Sequence, residues 1–209
     1  MKTVTDIKPQ KRGKDRANVF LDGAFAFSLS KAVIEHSRIA PGQMLTDSQI
    51  AELTTGDSVE KCRAAALRLL NYRPRSEAEI RLRLCSKFDR EVVDGVISQL
   101  TSRQLIDDFV FATFWKENRE SCNPRGQRLL RMELSAKGVS QEVISEALQG
   151  LDEEGSAYRA AKKRERCLQK DDYDSFRRKL GSALRRRGFS YEVTNRTVER
   201  VWREAHQIS

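Results

Sequence analysis

The stretches SKFDREVVDGVISQL (residues 86–100), AKGVSQEVISEALQGL (136–151) and RRGFSYEVTNRTVERV (186–201) carry one apolar frame three times. Aligned on Phe88, Val139 and Phe189, they bring Asp89, Ser140 and Ser190 together, residue types whose side chains cap a helix start. Glu91, Glu142 and Glu192 follow in the first turn, where the helix dipole favours an acid. Val92, Val143 and Val193 come next, then Ile97, Leu148 and Val198, then Leu100, Leu151 and Val201, at unchanging offsets. The frames lie 51 and then 50 residues apart. A period of this size predicts tandem helical modules stacked on their neighbours.

Upstream of each frame, Ile80–Leu84, Leu130–Leu134 and Leu180–Leu184 form i,i+4 pairs on a preceding, middle helix. Gly138 and Gly188 stand where that helix should end, the usual place for a left-handed glycine. The first module has Lys87-Phe88 there and is one residue shorter. Residues 80–85 (IRLRLC) alternate like a strand, but Ser76 with Glu79 reads as a capping box and the repeat argues for helix. Asn123 before Pro124 is expected to cap the second middle helix, with the proline in its first turn. A leading helix completes each module: Glu60–Asn71, Asp108–Arg119 and Ser156–Gln169. Asp107 and Asp108 are expected to cap the second of these. Phe111, Phe114 and Trp115 have the spacing of a helix core.

Ahead of the modules the pattern is strand-like. Val19, Phe20 and Leu21 are followed by Phe25, Phe27 and Leu29 at period two, and Asp22-Gly23 between them is a strong hairpin signal. A strand near Thr3–Lys8 is expected to add a third member. Between them lies a basic turn, with Lys8, Lys11, Arg12, Lys14 and Arg16 against Asp15. It reads either as a solvated loop or as a basic finger that touches phosphate. Lys31–Arg38 is helical, Pro41-Gly42 breaks it, and Thr46 with Gln49 caps a short helix expected to end at Leu53. Thr54-Thr55-Gly56 is expected to mark a boundary. The chain thus divides into a β-hairpin region with short helices (1–56) and three-helix modules at 57–107, 108–155 and 156–209, a mainly α fold behind a small three-stranded extension.

Several function classes drop out. Among 209 residues no apolar run approaches the ~18–20 needed to span a bilayer, and the first sixteen lack a signal peptide's apolar stretch. The chain therefore reads as cytosolic, with no membrane partner. Cys62, Cys85, Cys122 and Cys167 contain no C-x-x-C pair and are expected to be free and mostly buried. His36 and His206 have no metal spacing, and no phosphate loop or nucleophile elbow is present. No cofactor is expected.

Charge is uneven. Residues 156–209 hold 15 Lys and Arg against 7 Asp and Glu, nearly all of the chain's net +9. Their clusters are Lys162-Lys163-Arg164, Arg177-Arg178-Lys179 and Arg185-Arg186-Arg187. Dipole compensation at a helix C-terminus accounts for one or two of the last three. Arg125, Arg128 and Arg131, spaced by three, could share a helix face. A basic stripe of this kind suits a polyanion or an acidic protein groove.

These features together resemble the RecX family of bacterial recombinase regulators. Arg73, Arg75 and Ser76 match its Arg-x-Arg-Ser motif. Ile106, Asp107, Asp108, Phe111, Ala112 and Arg119 match a second motif, and Gly126, Leu130, Glu133, Leu134, Lys137, Gly138 and Val139 a third. The likeness covers about residues 58–205. It implies a non-enzymatic protein whose three tandem repeats form a curved, elongated body. Such proteins bind the RecA–single-stranded-DNA filament within its groove, suppress ATP hydrolysis and strand exchange, and limit filament growth, so modulating recombination and DNA repair. The residues expected to make electrostatic contact are Arg73, Arg75, Arg125, Arg128, Arg131, Arg177, Arg178, Arg185, Arg186 and Arg187. Single-stranded DNA binding is expected to be weak and sequence-indifferent, and the chain to be a monomer. Two other readings stay open: a helical DNA-binding transcription regulator, which would prefer one duplex sequence, and a scaffold that binds only protein.

Overall fold

Asp22 and Gly23 both take positive φ, 50° and 83°, as a two-residue hairpin turn requires. They join β2 (Arg16–Leu21) to β3 (Ala24–Ser30), and β1 (Lys2–Pro9) pairs antiparallel with β2. The computed structural model describes residues 1–10, 15–168 and 172–206. The middle of the expected basic turn (11–14) lies outside them, as does residue 169, the expected end of the third leading helix. A two-residue β4 (Met44–Leu45) pairs with the free side of β1. The expected three strands are therefore four, in the order β3-β2-β1-β4.

The helices are α1 (Lys31–Ser37), α2 (Asp47–Tyr72), α3 (Glu77–Cys85), α4 (Arg90–Ser102), α5 (Asp108–Cys122), α6 (Gln127–Ala136), α7 (Gln141–Ala147), α8 (Glu153–Glu165), α9 (Tyr173–Arg186) and α10 (Tyr191–His206). No helix among the described residues is long and apolar enough to cross a membrane. The chain divides into two compact units, Met1–Arg73 with Ile80–Leu105, and Pro74–Glu79 with Ile106–Ser209.

In the first unit, Val4, Val19, Leu21 and Leu29 from one face of the sheet pack with Val33, Ile39, Leu45 and Leu53. The Thr46–Gln49 capping box opens α2 as expected, but the helix does not stop at Leu53. It runs unbroken for 26 residues to Tyr72. The Thr54 hydroxyl donates back to the Ile50 and Ala51 carbonyls (3.0 and 2.9 Å), so this weak helix former is satisfied inside the helix. One turn on, Asp57 is 2% exposed and anchors the sheet. It accepts from Arg16 (2.9 and 3.2 Å) and from the Ser30 amide (2.7 Å), and pairs with Lys61 at 2.8 Å. Burial alone would raise its carboxyl pKa, but these donors outweigh burial and hold it low. This packing overrides the local breaker signal at 54–56.

In the second unit, Phe111, Leu130, Leu134, Ile144 and Leu148 form the core of α5–α7, and Phe176, Leu180, Leu184, Val198 and Val201 that of α8–α10. The expected i,i+4 pairs and frame positions are thus the core. Ser140 and Ser190 accept from the amides of Val143 (3.4 Å) and Val193 (3.2 Å), as expected of caps. The second middle helix begins later than expected. Asn123 closes α5, and Gly126 is the N-cap of α6.

Gly126 is placed by a seam that occurs twice. The Gly126 amide donates to the Arg187 carbonyl at 2.9 Å, and the Ser76 hydroxyl donates to the Lys137 carbonyl at 2.7 Å. In each case the start of one middle helix meets the end of the next. The following residue's amide is also capped from the next leading helix. Glu77 donates to Asp108 (2.9 Å), and Gln127 to Glu153 (3.1 Å). Gly138 and Gly188, with φ of 79° and 85°, lie against Ala78 in the first turn of α3 and Leu129 in the first turn of α6.

The cysteines depart from expectation. Cys62 is buried, while Cys85, Cys122 and Cys167 are exposed, and all four are free. The exposed three fall at or just past helix C-termini, where the apolar stripe has run out.

Candidate functional site

α9 presents its apolar face to the core through Phe176, Leu180 and Leu184, so the arginines between them point outward. Arg177, Arg178 and Arg185 line a shallow depression of about 290 Å³ with Asp174, Gly181, Tyr191 and Asn195. A neighbouring depression of about 450 Å³ shares Arg185 and Tyr191 and adds Arg128, Gln127, Glu153 and Ser190. Arg128, Arg185, Arg177 and Arg178 therefore form one continuous band around Tyr191. Among the described residues, none of these four arginines has a carboxylate within 4.0 Å.

The cations on α10 differ. Arg196 is held by Glu154 and Glu192, Arg200 by Glu204, and Arg203 by Glu199. The surplus charge of the third module is thus carried by α8 and α9 and not by α10, and α9 supplies three of the band's four arginines. Tyr191 is 65% exposed at the centre of the band. A hydrogen bond with Asn195, with Arg177 and Arg185 nearby, lowers the pKa of its phenol despite the opposing effect of desolvation. Sequence reasoning missed Tyr191 and Asn195. Their i,i+4 spacing at the start of α10, facing the arginine-rich α9, was the available signal.

The other expected site residues lie elsewhere. α6 begins at Gln127, so Arg125 precedes it and does not share a helix face with Arg128 and Arg131. Arg125 instead pairs with Glu133. Glu133 also accepts from Trp115 Nε1 (2.7 Å) and Arg119 Nε (2.9 Å). The Arg119 guanidinium lies 4.5 Å from the Trp115 ring centre and the Lys137 ammonium 4.4 Å. Lys137 in turn bonds Glu79 at 2.6 Å. Arg119, Glu133 and Lys137, which carry part of the family resemblance, thus form an internal network. Arg131 donates to Ser145 at 3.0 Å.

The triplet 185–187 is split. Arg186 and Arg187 line a different depression with Arg164, and Arg186 donates to Ser182 at 2.6 Å. Arg73 ends α2 and Arg75 precedes α3; both are half-buried and already engaged in contacts of their own. Asp107 caps α5 as expected, accepting from Phe109 (2.7 Å) and Val110 (3.0 Å). Asp108 serves the seam instead. Burial raises its carboxyl pKa, and the neighbouring Glu77 and Asp107 carboxylates add to the rise, against the Glu77 amide's bond. Among the described residues, no cluster of His, Cys, Asp and Glu could hold a metal ion.

Comparison with known proteins agrees with this architecture. The family model for the regulatory protein RecX N-terminal domain matches residues 2–46, and those for the first and second RecX three-helix domains match 62–100 and 107–148. The chain is 32% identical over 205 residues to the regulatory protein RecX of Bacillus subtilis (strain 168), covering 96% of this chain and 78% of that one. It is 31% identical over 205 residues to the regulatory protein RecX of Clostridium botulinum (strain Alaska E43 / Type E3), covering 95% and 96%. The crystal structure of a regulatory protein RecX matches with a TM-score of 0.73 at 28% identity, over 95% of this chain and all of that one. RecX from Lactobacillus salivarius shares the fold, with a TM-score of 0.62 at 23% identity over 69% and 97% of the two chains. With its N-terminal sheet, its capped three-helix modules and relatives matched along almost its whole length, this chain belongs to the RecX family of regulatory proteins.

Proposed function

We propose that the chain is a non-catalytic, monomeric, cytosolic regulator that binds the RecA–single-stranded-DNA filament and inhibits its ATP hydrolysis, strand exchange and growth. The observation that carries this reading is the band of Arg128, Arg177, Arg178 and Arg185, whose charge no carboxylate within ion-pair distance offsets among the described residues. Exposed guanidinium groups gathered in shallow depressions attract phosphate by releasing the counterions that surround it. They also fork onto phosphate and carboxylate oxygens with two parallel bonds. A body held to the filament in this way would occlude incoming duplex and the next protomer.

The test is the recombinase's DNA-dependent ATPase rate with this protein added below stoichiometry. The rate is expected to fall, and Arg177→Glu with Arg178→Glu and Arg185→Glu to restore it while helicity by circular dichroism stays unchanged. Inhibition that survives the triple reversal removes the band from the mechanism. A transcription regulator would instead shift one selected duplex in a gel more strongly than random duplexes.

A further inference from the structure

The sheet of the first unit has a second face. Val19 and Leu21 point into the core, so Phe20 between them points the other way. It meets Phe25 across the β2–β3 pair. The rings are edge to face, with centroids 6.1 Å apart at 77°, and Phe25 is 59% exposed. The Lys8 ammonium stands 5.2 Å from the Phe20 ring centre. Its carboxylate partner, Asp6 at 2.9 Å, is itself exposed, and such a pair is weak enough to exchange. Asn18, two residues before Phe20 on β2, accepts from Gln10 Nε2 at 2.8 Å. Among the described residues, that leaves the Asn18 amide N–H groups and the Gln10 side-chain carbonyl oxygen on this side of the sheet.

A cross-strand aromatic pair steadies a hairpin, but burial against a neighbour would do so equally well. It does not account for leaving Phe25 in solvent. Aromatic faces beside an exchangeable ammonium and side-chain amides are the chemistry that holds unpaired bases and their phosphates. Each ring offers any base a π-face, while Lys8 supplies the charge complementary to a phosphate. We propose that this open sheet face binds single-stranded nucleic acid, with Phe25 and Phe20 stacking on bases and Lys8 meeting the backbone. The site belongs to the first unit, whereas the arginine band belongs to the second, so the proposal does not depend on the filament reading.

The test compares two labelled 20-mers on the full chain: oligothymidylate and an abasic strand that keeps the phosphates. Phe25→Leu, which stays apolar but loses the ring, is expected to weaken thymidylate binding about fivefold or more and leave abasic binding unchanged. Neutralising the band (Arg177→Gln, Arg178→Gln, Arg185→Gln) is expected to weaken both strands alike. Ultraviolet crosslinks from thymidylate to the unaltered chain are expected in the peptide spanning residues 16–30. Equal thymidylate affinity for Phe25→Leu and the unaltered chain, with crosslinks elsewhere, overturns the proposal. Filament binding that falls in Phe25→Leu while thymidylate affinity stays constant also overturns it, because the face would then be docking protein.

Discussion

Gly126 and Gly188 touch backbone to backbone. A methyl group built on Gly126 would overlap the Gly188 carbonyl, and the Gly126 amide donates to the adjoining Arg187 carbonyl at 2.9 Å. The obstacle is main chain, which cannot swing aside as a side-chain tip can. Gly126→Ala is therefore expected to destabilise the protein by about 2 kcal/mol or more, seen as a lower urea midpoint. Gly155→Ala is a poor control, since Asp152 crowds that position, but Gly95→Ala meets open space and should cost little.

Ser76 carries the equivalent seam on its side chain. Its hydroxyl accepts from the Glu79 amide at 3.1 Å, donates to Lys137, and is fully buried. Ser76→Ala strips a cap and orphans a carbonyl, an expected loss of about 1–2 kcal/mol. Thermal melts of Ser76→Ala and Ser76→Thr check this. Threonine keeps the hydroxyl, so an equal loss in both would assign the effect to size instead.

Acid should act on Asp57. Its carboxyl is held below the ordinary value of 3.8 in the folded chain. A depressed carboxylate adds stability that is complete above that ordinary value and drains away as pH falls through the folded one. Urea titrations from neutral to acid pH should show stability falling below about pH 4. Asp57→Asn should flatten part of that fall, while costing about 2–3 kcal/mol at neutral pH because Arg16 loses its partner. Asp108 has the opposite sign. Its raised pKa makes its contribution weaken as pH rises, so Asp108→Asn, which can still accept from Glu77, should be nearly neutral at pH 7.

Two arginines grouped together by sequence should behave differently. Arg125 is tied to Glu133 beside Trp115, whereas Arg178 has no such partner among the described residues. Arg125→Gln is expected to lower stability by about 1–3 kcal/mol and leave the salt dependence of single-strand binding alone. Arg178→Gln should leave stability unchanged and reduce the log–log salt slope by about 0.7. Melting curves and fluorescence anisotropy at several salt concentrations separate the two.

The repeat was legible because its determinants are local. Ser140 and Ser190 cap helices within three residues, and Leu130–Leu134 and Leu180–Leu184 reveal a buried stripe by spacing alone. The start of α6 was not legible, because Gly126 owes its role to Gly188, sixty-two positions later. α2 was expected to stop where Asp57, fixed by Arg16 from the sheet, carries it onward. The excess of arginine in the third module could be counted in the sequence, but spacing could not separate Arg125 and Arg131, which have partners, from Arg128, Arg177, Arg178 and Arg185 in the band. Those partnerships join side chains that only folding brings together.

The two seams present interchangeable donors and acceptors: a carbonyl at the close of one middle helix, a capping group at the opening of another, and a carboxylate over the next amide. A block of about fifty residues cut at equivalent points could be spliced out or duplicated, and its new neighbours would find the same bonding edges. Lengthening or shortening this protein by whole blocks is thus a single genetic step that matches donors to acceptors at each new junction, provided that a glycine still faces the Gly188 carbonyl.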